Sequence, residues 1–447
     1  MPISSASRWS LGVVRSRNGV VVPKRQFPGY HPGVADPGDP TVTITMHGWA
    51  HGGDAVGRLP DGRACFVPFT LPGERVEVNV RRLYKRHATA DLVRVIEESP
   101  HRVQPPCPYY GDCGGCQLQH IAPAHQLQLK AQVLTEQLQR IGKVADPPVR
   151  GVRAPSGPWP SGYRAWARMA VDDEGRLGFR RARSHDVIPI DACLLLDRRT
   201  QAVRDAVGDG WTGAEEVTLT TGADDAVVAV AGAPDLASLP EGPFGLVVGA
   251  DRSTSDRGPD KVTIMVLGHA LQASAGTFFQ AGPGCAESLV TAVMDVTDVG
   301  PGDTVWDLYA GGGLLSVFLA AAGASVTAVE ADPVACADAT ANLAEHNARV
   351  ITSTVEKVLP QLLVDTVDVI VLDPPRRGAN ADVCRTIAKA GARQIVYVAC
   401  DPAALSRDTV TLRDEGYDLT SVDGLDLFGH TAHVEAVAVF RPHLSSR

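Results

Sequence analysis

Val305-Trp306-Asp307-Leu308-Tyr309-Ala310-Gly311-Gly312-Gly313, with Glu330 seventeen residues past the last glycine, is the stretch whose reading decides the fold. Val305 to Leu308 is apolar enough for a buried strand, and the glycines follow where a strand must turn into a helix. Lacking Cβ atoms, they let the backbone pass close to a ligand. Working outward, Leu314 to Ala322 reads as a helix, Ser325 to Glu330 as a second strand and Pro333 to Asn347 as a second helix. Val367 to Leu372 and Gln394 to Val398 repeat the buried-strand pattern. Apolar strands alternating with helices predict a parallel sheet covered on both faces. In such sheets ligands sit at the carboxyl ends of the strands.

Three groups fall at those ends. Glu330 closes a strand, where a carboxylate accepts hydrogen bonds from both hydroxyls of a ribose. A dinucleotide site would want a third glycine, but Leu314, Leu315 and Ser316 follow Gly313; the turn therefore suits a nucleoside cofactor without a pyrophosphate. Asp373-Pro374-Pro375-Arg376 closes the next buried strand, and its prolines fix the backbone that holds Asp373 at the rim. Amino-group methyltransferases carry an aromatic in fourth place, where this chain has Arg376. Cys400 follows Ile395-Val396-Tyr397-Val398-Ala399 and precedes Asp401-Pro402, so a thiolate nucleophile stands on the same rim. Taken singly, each group has a plainer reading: a solvated strand-end acid, a rigid turn, a small buried thiol. Their concentration on one rim favours a site.

The first half reads differently. Thr41-Val42-Thr43-Ile44-Thr45, Ala64-Cys65-Phe66-Val67 and Arg75 to Val80 alternate between turns at Gly52-Gly53, Asp61-Gly62 and Pro72-Gly73, which predicts a small β-barrel. Ala124 to Ile141 reads as a helix with Leu127, Leu134, Leu138 and Ile141 on one face. Between them Cys107-x5-Cys113-x2-Cys116 gathers three of the nine cysteines, with Gly111, Gly114 and Gly115 free to wrap a metal centre. Cys193 is the candidate fourth ligand. Four thiolates suit tetrahedral zinc or an iron–sulfur cluster. The chain lacks the paired C-x2-C arrangement usual for structural zinc, which favours iron–sulfur.

The 447 residues carry a net charge of −9, which argues against a surface coated with nucleic acid but leaves room for local basic patches. Two are present: Arg75, Arg81, Arg82, Lys85, Arg86 and His87, and Arg164, Arg168, Arg176, Arg180, Arg181 and Arg183. No apolar run reaches the roughly 18 residues of a membrane span, and the start of the chain carries no signal-peptide pattern. A cytoplasmic protein is expected.

Together these residues resemble the bacterial RNA uracil-C5 methyltransferases, which make 5-methyluridine in tRNA and 23S rRNA. The resemblance runs from about 41 to 441. Gly52 to Glu74 is similar to a TRAM domain, an RNA-binding barrel. Cys107-Pro108-Tyr109-Tyr110-Gly111-Asp112-Cys113-Gly114-Gly115-Cys116 is similar to the family's cluster motif, and Cys193 falls where its fourth ligand belongs, implying a [4Fe-4S] cluster. Gln280, in Phe278-Phe279-Gln280, falls with Tyr309, Glu330 and Asp373 on positions that contact S-adenosyl-L-methionine. Cys400 matches the nucleophile and Glu435, in His433-Val434-Glu435, the base. Three positions depart from the family: Gly282 in place of an Asn, Ala310 in place of a Cys, and Gly429 in place of a Pro.

The resemblance implies a Rossmann-like class I methyltransferase domain at 269–447, preceded by a flexible extension at 1–40, the OB-like barrel at 41–100 and a central α+β domain with the cysteine motif at 101–268. The implied activity is methyl transfer to carbon 5 of a uridine in rRNA or tRNA through a covalent adduct. An RNA methyltransferase acting elsewhere without an adduct, and a non-catalytic RNA-binding protein, are the alternatives. RNA is the expected partner, with no membrane, and a monomer is expected.

Overall fold

The computed structural model describes residues 41–235, 239–249 and 256–443; the extension read at 1–40 lies outside them. Five strands, β1 (Thr41–Trp49), β2 (Ala55–Arg58), β3 (Ala64–Val67), β4 (Arg75–Leu83) and β5 (His87–Glu97), form a closed barrel in the order β1-β2-β3-β5-β4. Alternate residues point inward, so Ile44, Met46, Cys65, Val67, Val76 and Val78 are buried.

Helix α1 (Pro123–Arg140) begins on a proline, whose missing N–H takes no bond from the first turn. Its buried face holds Leu129, Val133, Leu134 and Leu138 together with Gln126 and Lys130. Ile141, expected on that face, is exposed instead, because the helix ends at Arg140 and Ile141 only caps it.

Strand β6 (Val149–Arg153) follows. A six-stranded sheet comes next, built from β7 (Trp166–Val171), β8 (Leu177–Arg180), β9 (Val187–Pro189), helix α2 (Arg198–Val207), β10 (Ala214–Thr221), β11 (Ala226–Gly232) and β12 (Gly245–Val248), in the order β12-β11-β10-β7-β8-β9. A hairpin of β13 (Lys261–Val266) and β14 (His269–Ser274) leads onward. Its turn contains the 268/269 junction between the central and C-terminal segments read from the sequence.

The C-terminal part runs α3 (Pro283–Val296), β15 (Thr304–Leu308), α4 (Leu314–Ala321), β16 (Ser325–Glu330), α5 (Pro333–Asn342), β17 (Ala348–Thr352), α6 (Val355–Leu362), β18 (Val369–Leu372), α7 (Ala381–Lys389), β19 (Gln394–Ala399), α8 (Pro402–Asp414), β20 (Tyr417–Leu425) and β21 (Glu435–Pro442). Its eight-stranded sheet is ordered β17-β16-β15-β18-β19-β21-β20-β6. The central strands are buried on both faces. Val305, Val369, Val371, Val396 and Val398 pack toward α3 and α4, while Trp306, Ile370, Leu372, Ile395 and Tyr397 pack toward α6, α7 and α8. This is the two-sided burial that makes such strands continuously apolar in sequence.

The expectation of a parallel sheet holds from β17 to β19. It then needs correcting, because β21 runs antiparallel to both β19 and β20. The last two strands lack a crossover helix between them, and only a crossover returns a chain parallel to its predecessor. Helix α5 stops five residues before the expected Asn347. Its last residue, Asn342, turns its side-chain amide to the carbonyls of Gln272 and Gly312.

Candidate active site

Strand register lines the candidate groups along one rim. Leu308 pairs with both Val329 and Leu372, so Tyr309, Glu330 and Asp373 leave the sheet side by side. Ala399 pairs with Ala436. Cys400, the next residue of one strand, and Glu435, the preceding residue of its antiparallel neighbour, therefore meet at the same end. With Gln280 from the segment before α3, all six line one open cavity of about 1160 Å³. Tyr309 takes a left-handed backbone conformation, φ 64°, which is strained for a bulky residue. Glu330 accepts bonds from the amides of Gly311, Ala331 and Asp332 at 2.9, 2.6 and 2.8 Å, which fixes its carboxylate at the cavity wall.

The inner wall of the cavity gathers carboxylates, with Arg376 as the cation that acts on Glu435 and Cys400. Burial, then the Asp373 charge, pushes Glu435 well above the usual carboxylate range, against the pull of Arg376. Burial also pushes Asp373 up to about 7. Cys400 is pushed up to about 12 by burial and by the carboxylates of Glu435 and Asp373, against the pull of Arg376. Asp307, fully buried, is raised to about 7 by burial although the Ser316 hydroxyl donates to it. Among the described residues, Oδ1 of Asp307, Oε1 of Glu435, Nε of Arg164 and Nε1 of Trp166 are buried without a protein partner. All four residues line this cavity. Buried polar atoms left unpaired by the protein are where a polar ligand makes its bonds.

The cysteines form a second group. Cys107, Cys113, Cys116 and Cys193 surround one small cavity. Cys113 is bridged to Tyr110 and Arg181, and a Cβ at neighbouring Gly114 would stand 2.8 Å from the Arg180 carbonyl, so only glycine admits this approach. Burial pushes Cys113 to about 11 and Cys116 to about 12, with the charges of the other thiols adding. Four thiols gathered around one cavity are a donor set that fits a cationic metal centre, whose charge would reverse the shifts of Cys113 and Cys116. Among the described residues, no three His, Cys, Asp or Glu side chains stand in a geometry that holds a single ion.

The cavity brings together groups that the sequence left apart. Arg168, Arg180, Arg181 and Arg183 of the second basic patch line the mouth, whereas Arg176 pairs with Asp172 and Glu174 elsewhere. Trp166 and the exposed Phe278 meet edge to face at the mouth, 6.2 Å between centroids. The β1–β2 turn of the barrel also arrives here: His51 lies 3.4 Å from Asp401, and Asp54 the same distance from Arg183. No helical or strand periodicity marks these residues, since loops deliver most of them. In the first patch, Arg75 and Arg81 pair with Glu97 and Asp91, while Arg82 lies over the Tyr84 ring.

Two departures from the family pattern have a steric cause. A Cβ at Gly282 would lie 2.0 Å from the Tyr163 carbonyl, and one at Gly429 would lie 2.6 Å from that of Pro160. The segment between these carbonyls packs against both glycines, leaving no room for a side chain.

Three families match parts of the chain. The TRAM domain family matches residues 40–93, the methyltransferase small domain 269–396, and the tRNA (uracil-5-)-methyltransferase family 360–441. An uncharacterized RNA methyltransferase of Streptomyces coelicolor is 37% identical over 425 residues, covering 88% of this chain and 91% of that protein. One of Gloeobacter violaceus is 32% identical over 446 residues, covering 89% and 96%. Among solved structures, the Pyrococcus abyssi tRNA (uracil-54, C5)-methyltransferase in complex with S-adenosyl-L-homocysteine superposes with a TM-score of 0.68 at 23% identity, over 89% of this chain and all of that one, and so shares the fold. No helix among the described residues is long and apolar enough to cross a membrane.

Proposed function

The chain belongs to the TRAM-bearing RNA methyltransferases, and from that premise we propose that it methylates carbon 5 of a uridine in rRNA or tRNA through a covalent intermediate on Cys400. The observation that carries this reading is the meeting of Cys400 and Glu435 at one end of paired strands, on the wall of the cavity that also holds Gln280, Tyr309, Glu330 and Asp373. Those four are the residues we assign to S-adenosyl-L-methionine: Glu330 to the ribose hydroxyls, Tyr309 and Gln280 to its faces, Asp373 to its charged end. When bound, that cofactor supplies an electrophilic methyl group on a positively charged sulfur.

Carbon 5 of uracil is a weak nucleophile, and Cys400 corrects this. Its sulfur bonds to carbon 6 while the ring's double-bond electrons move into an enolate, and carbon 5 becomes electron-rich. Carbon 5 then takes the methyl group, whose old bond to sulfur breaks. Glu435 removes the carbon 5 proton, the double bond re-forms and the bond from carbon 6 to Cys400 breaks, which restores the thiolate. The raised affinity of Glu435 for protons suits a base that must hold the one it takes. Arg376 is the cation beside both groups; it favours the thiolate and, at 3.4 Å, meets His433, which burial and Arg376 push down to about 4. We assign Cys107, Cys113, Cys116 and Cys193 to a [4Fe-4S] cluster on the chemistry of the donor set.

The test uses RNA and labelled cofactor. Wild-type protein is expected to transfer label, Cys400→Ala to lose transfer by more than about a thousandfold, and RNA containing 5-fluorouridine to leave a denaturant-stable complex that Cys400→Ala does not form. Fluorine cannot leave as a proton does, so the adduct stalls. Undiminished transfer by Cys400→Ala would remove the covalent mechanism and favour methylation at another position. For the cluster, iron and sulfide analysis of anaerobically purified protein decides, and zinc alone would reverse the assignment.

A further inference from the structure

Glu435 opens β21 directly after the loop that joins β20 to β21, and that loop is held by the segment carrying the thiols. His430, at φ 64°, is the contact point. Its N–H donates to Oε1 of Gln126 at 3.2 Å, and its carbonyl accepts from the amides of Gln117 and Leu118 at 3.0 and 2.9 Å. Gln126 is fully buried on α1. Its Nε2 donates to the carbonyls of Leu118 and Ile121 at 3.0 and 2.9 Å and lies 3.2 Å from Nδ1 of His430. Burial and the nearby Lys130 push His430 down to about 4. Gln117 adds a second link: its Oε1 accepts from Ala432 N–H at 3.3 Å, and its Nε2 donates to the Gly114 carbonyl at 2.8 Å. Cys113 and Cys116 stand on either side of Gly114, and Cys116 directly precedes Gln117. Behind the loop, Lys130 pairs with Asp426 in the interior.

We propose that Gln126 and Gln117 are positioning residues for Glu435, tying the loop that presents it to the thiol-bearing segment, so that loss of the four-thiol centre releases the loop. The proposal rests on the covalent reading, in which Glu435 acts only in the last step. A displaced Glu435 leaves thiol addition and methyl transfer possible and stalls the reaction at the methylated adduct. A merely destabilised protein loses adduct and turnover together.

Full-length, anaerobically purified Gln126→Met and Gln117→Ala proteins are incubated with unmodified RNA and S-adenosyl-L-methionine, and denaturing gels measure covalent complex against released product. The ratio is expected to rise about tenfold, the effect of losing about one buried hydrogen bond. Gln117 is half-exposed, so its variant keeps the test open if Gln126→Met does not fold. An unchanged ratio with lower turnover would overturn the positioning role. In the wild-type protein, hydrogen exchange of residues 426–435 is compared before and after iron removal by a chelator. Faster exchange there is expected; unchanged exchange at 426–435 beside faster exchange at 107–120 would overturn the link to the centre. A wild-type protein that forms no complex with 5-fluorouridine RNA would count against the covalent reading itself, and the exchange comparison still decides whether the centre holds the loop.

Discussion

Asp307 lies buried at the cavity wall beside the carboxylates of Asp373 and Glu330. It is 1% exposed, has one hydroxyl donor on Oδ2 and none on Oδ1 among the described residues, and holds its proton up to about pH 7. Because its folded pKa is raised, its contribution to stability is complete below the ordinary carboxylate range near 4 and is lost as pH rises through 7. Cofactor-free Asp307→Asn is therefore expected to gain on the wild type between pH 5 and 8, by on the order of 2 kcal/mol, in denaturant melts at each pH. A cationic ligand reverses the balance, since it favours the ionised acid. Binding of S-adenosyl-L-methionine should release a proton near neutral pH, visible in calorimetry as a heat that changes with the buffer's ionisation enthalpy. A binding heat independent of buffer would show that the carboxyl does not ionise.

Between elements, close approach decides more than attraction. The segment from Ser156 to Tyr163 lies so near Gly282, Gly284 and Gly429 that a Cβ at any of them would come within 2.0 to 2.6 Å of a carbonyl oxygen. At Gly282 the backbone itself is extended, φ −173°, so space alone excludes other residues. Gly282→Ala should thus destabilise the protein by about 3 kcal/mol or more, because the obstacle is backbone and cannot rotate away. Thermal unfolding checks this, and a change within about 0.5 kcal/mol would mean the segment yields freely. The same segment reaches the loop before Glu435, where the Tyr163 hydroxyl donates to the Gly429 carbonyl at 3.2 Å.

For the whole molecule, charge is distributed against its total. The net charge is −9, yet Arg168, Arg180, Arg181 and Arg183 crowd one mouth beside Trp166 and Phe278. Cations and stacking surfaces together suit an RNA strand whose base enters the cavity. RNA affinity is expected to fall steeply with salt, and Arg180→Ala with Arg183→Ala should reduce the log–log slope by about 0.7 per lost single-strand phosphate contact. Filter binding across a salt series measures it, and an unchanged slope would place the RNA elsewhere. The barrel takes part in this surface, since its β1–β2 turn reaches both Asp401 and Arg183.

The sequence by itself determined four central strands of the large sheet, three strands of the barrel and the rim positions of Glu330, Asp373 and Cys400, because strand ends and glycine turns are local signals that backbone sterics enforce. The cysteine spacing likewise pointed to one centre. Only the tertiary structure decided the rest. It reversed β21 and so brought Glu435 opposite Cys400, attached β6 from the first half to the sheet's far edge, and buried Gln126 and Lys130 where an apolar stripe was expected. Those outcomes depend on partners hundreds of residues away, such as His430 and Asp426. A buried amide or ammonium resembles a surface one until its partner is in place, so no local pattern could have announced them.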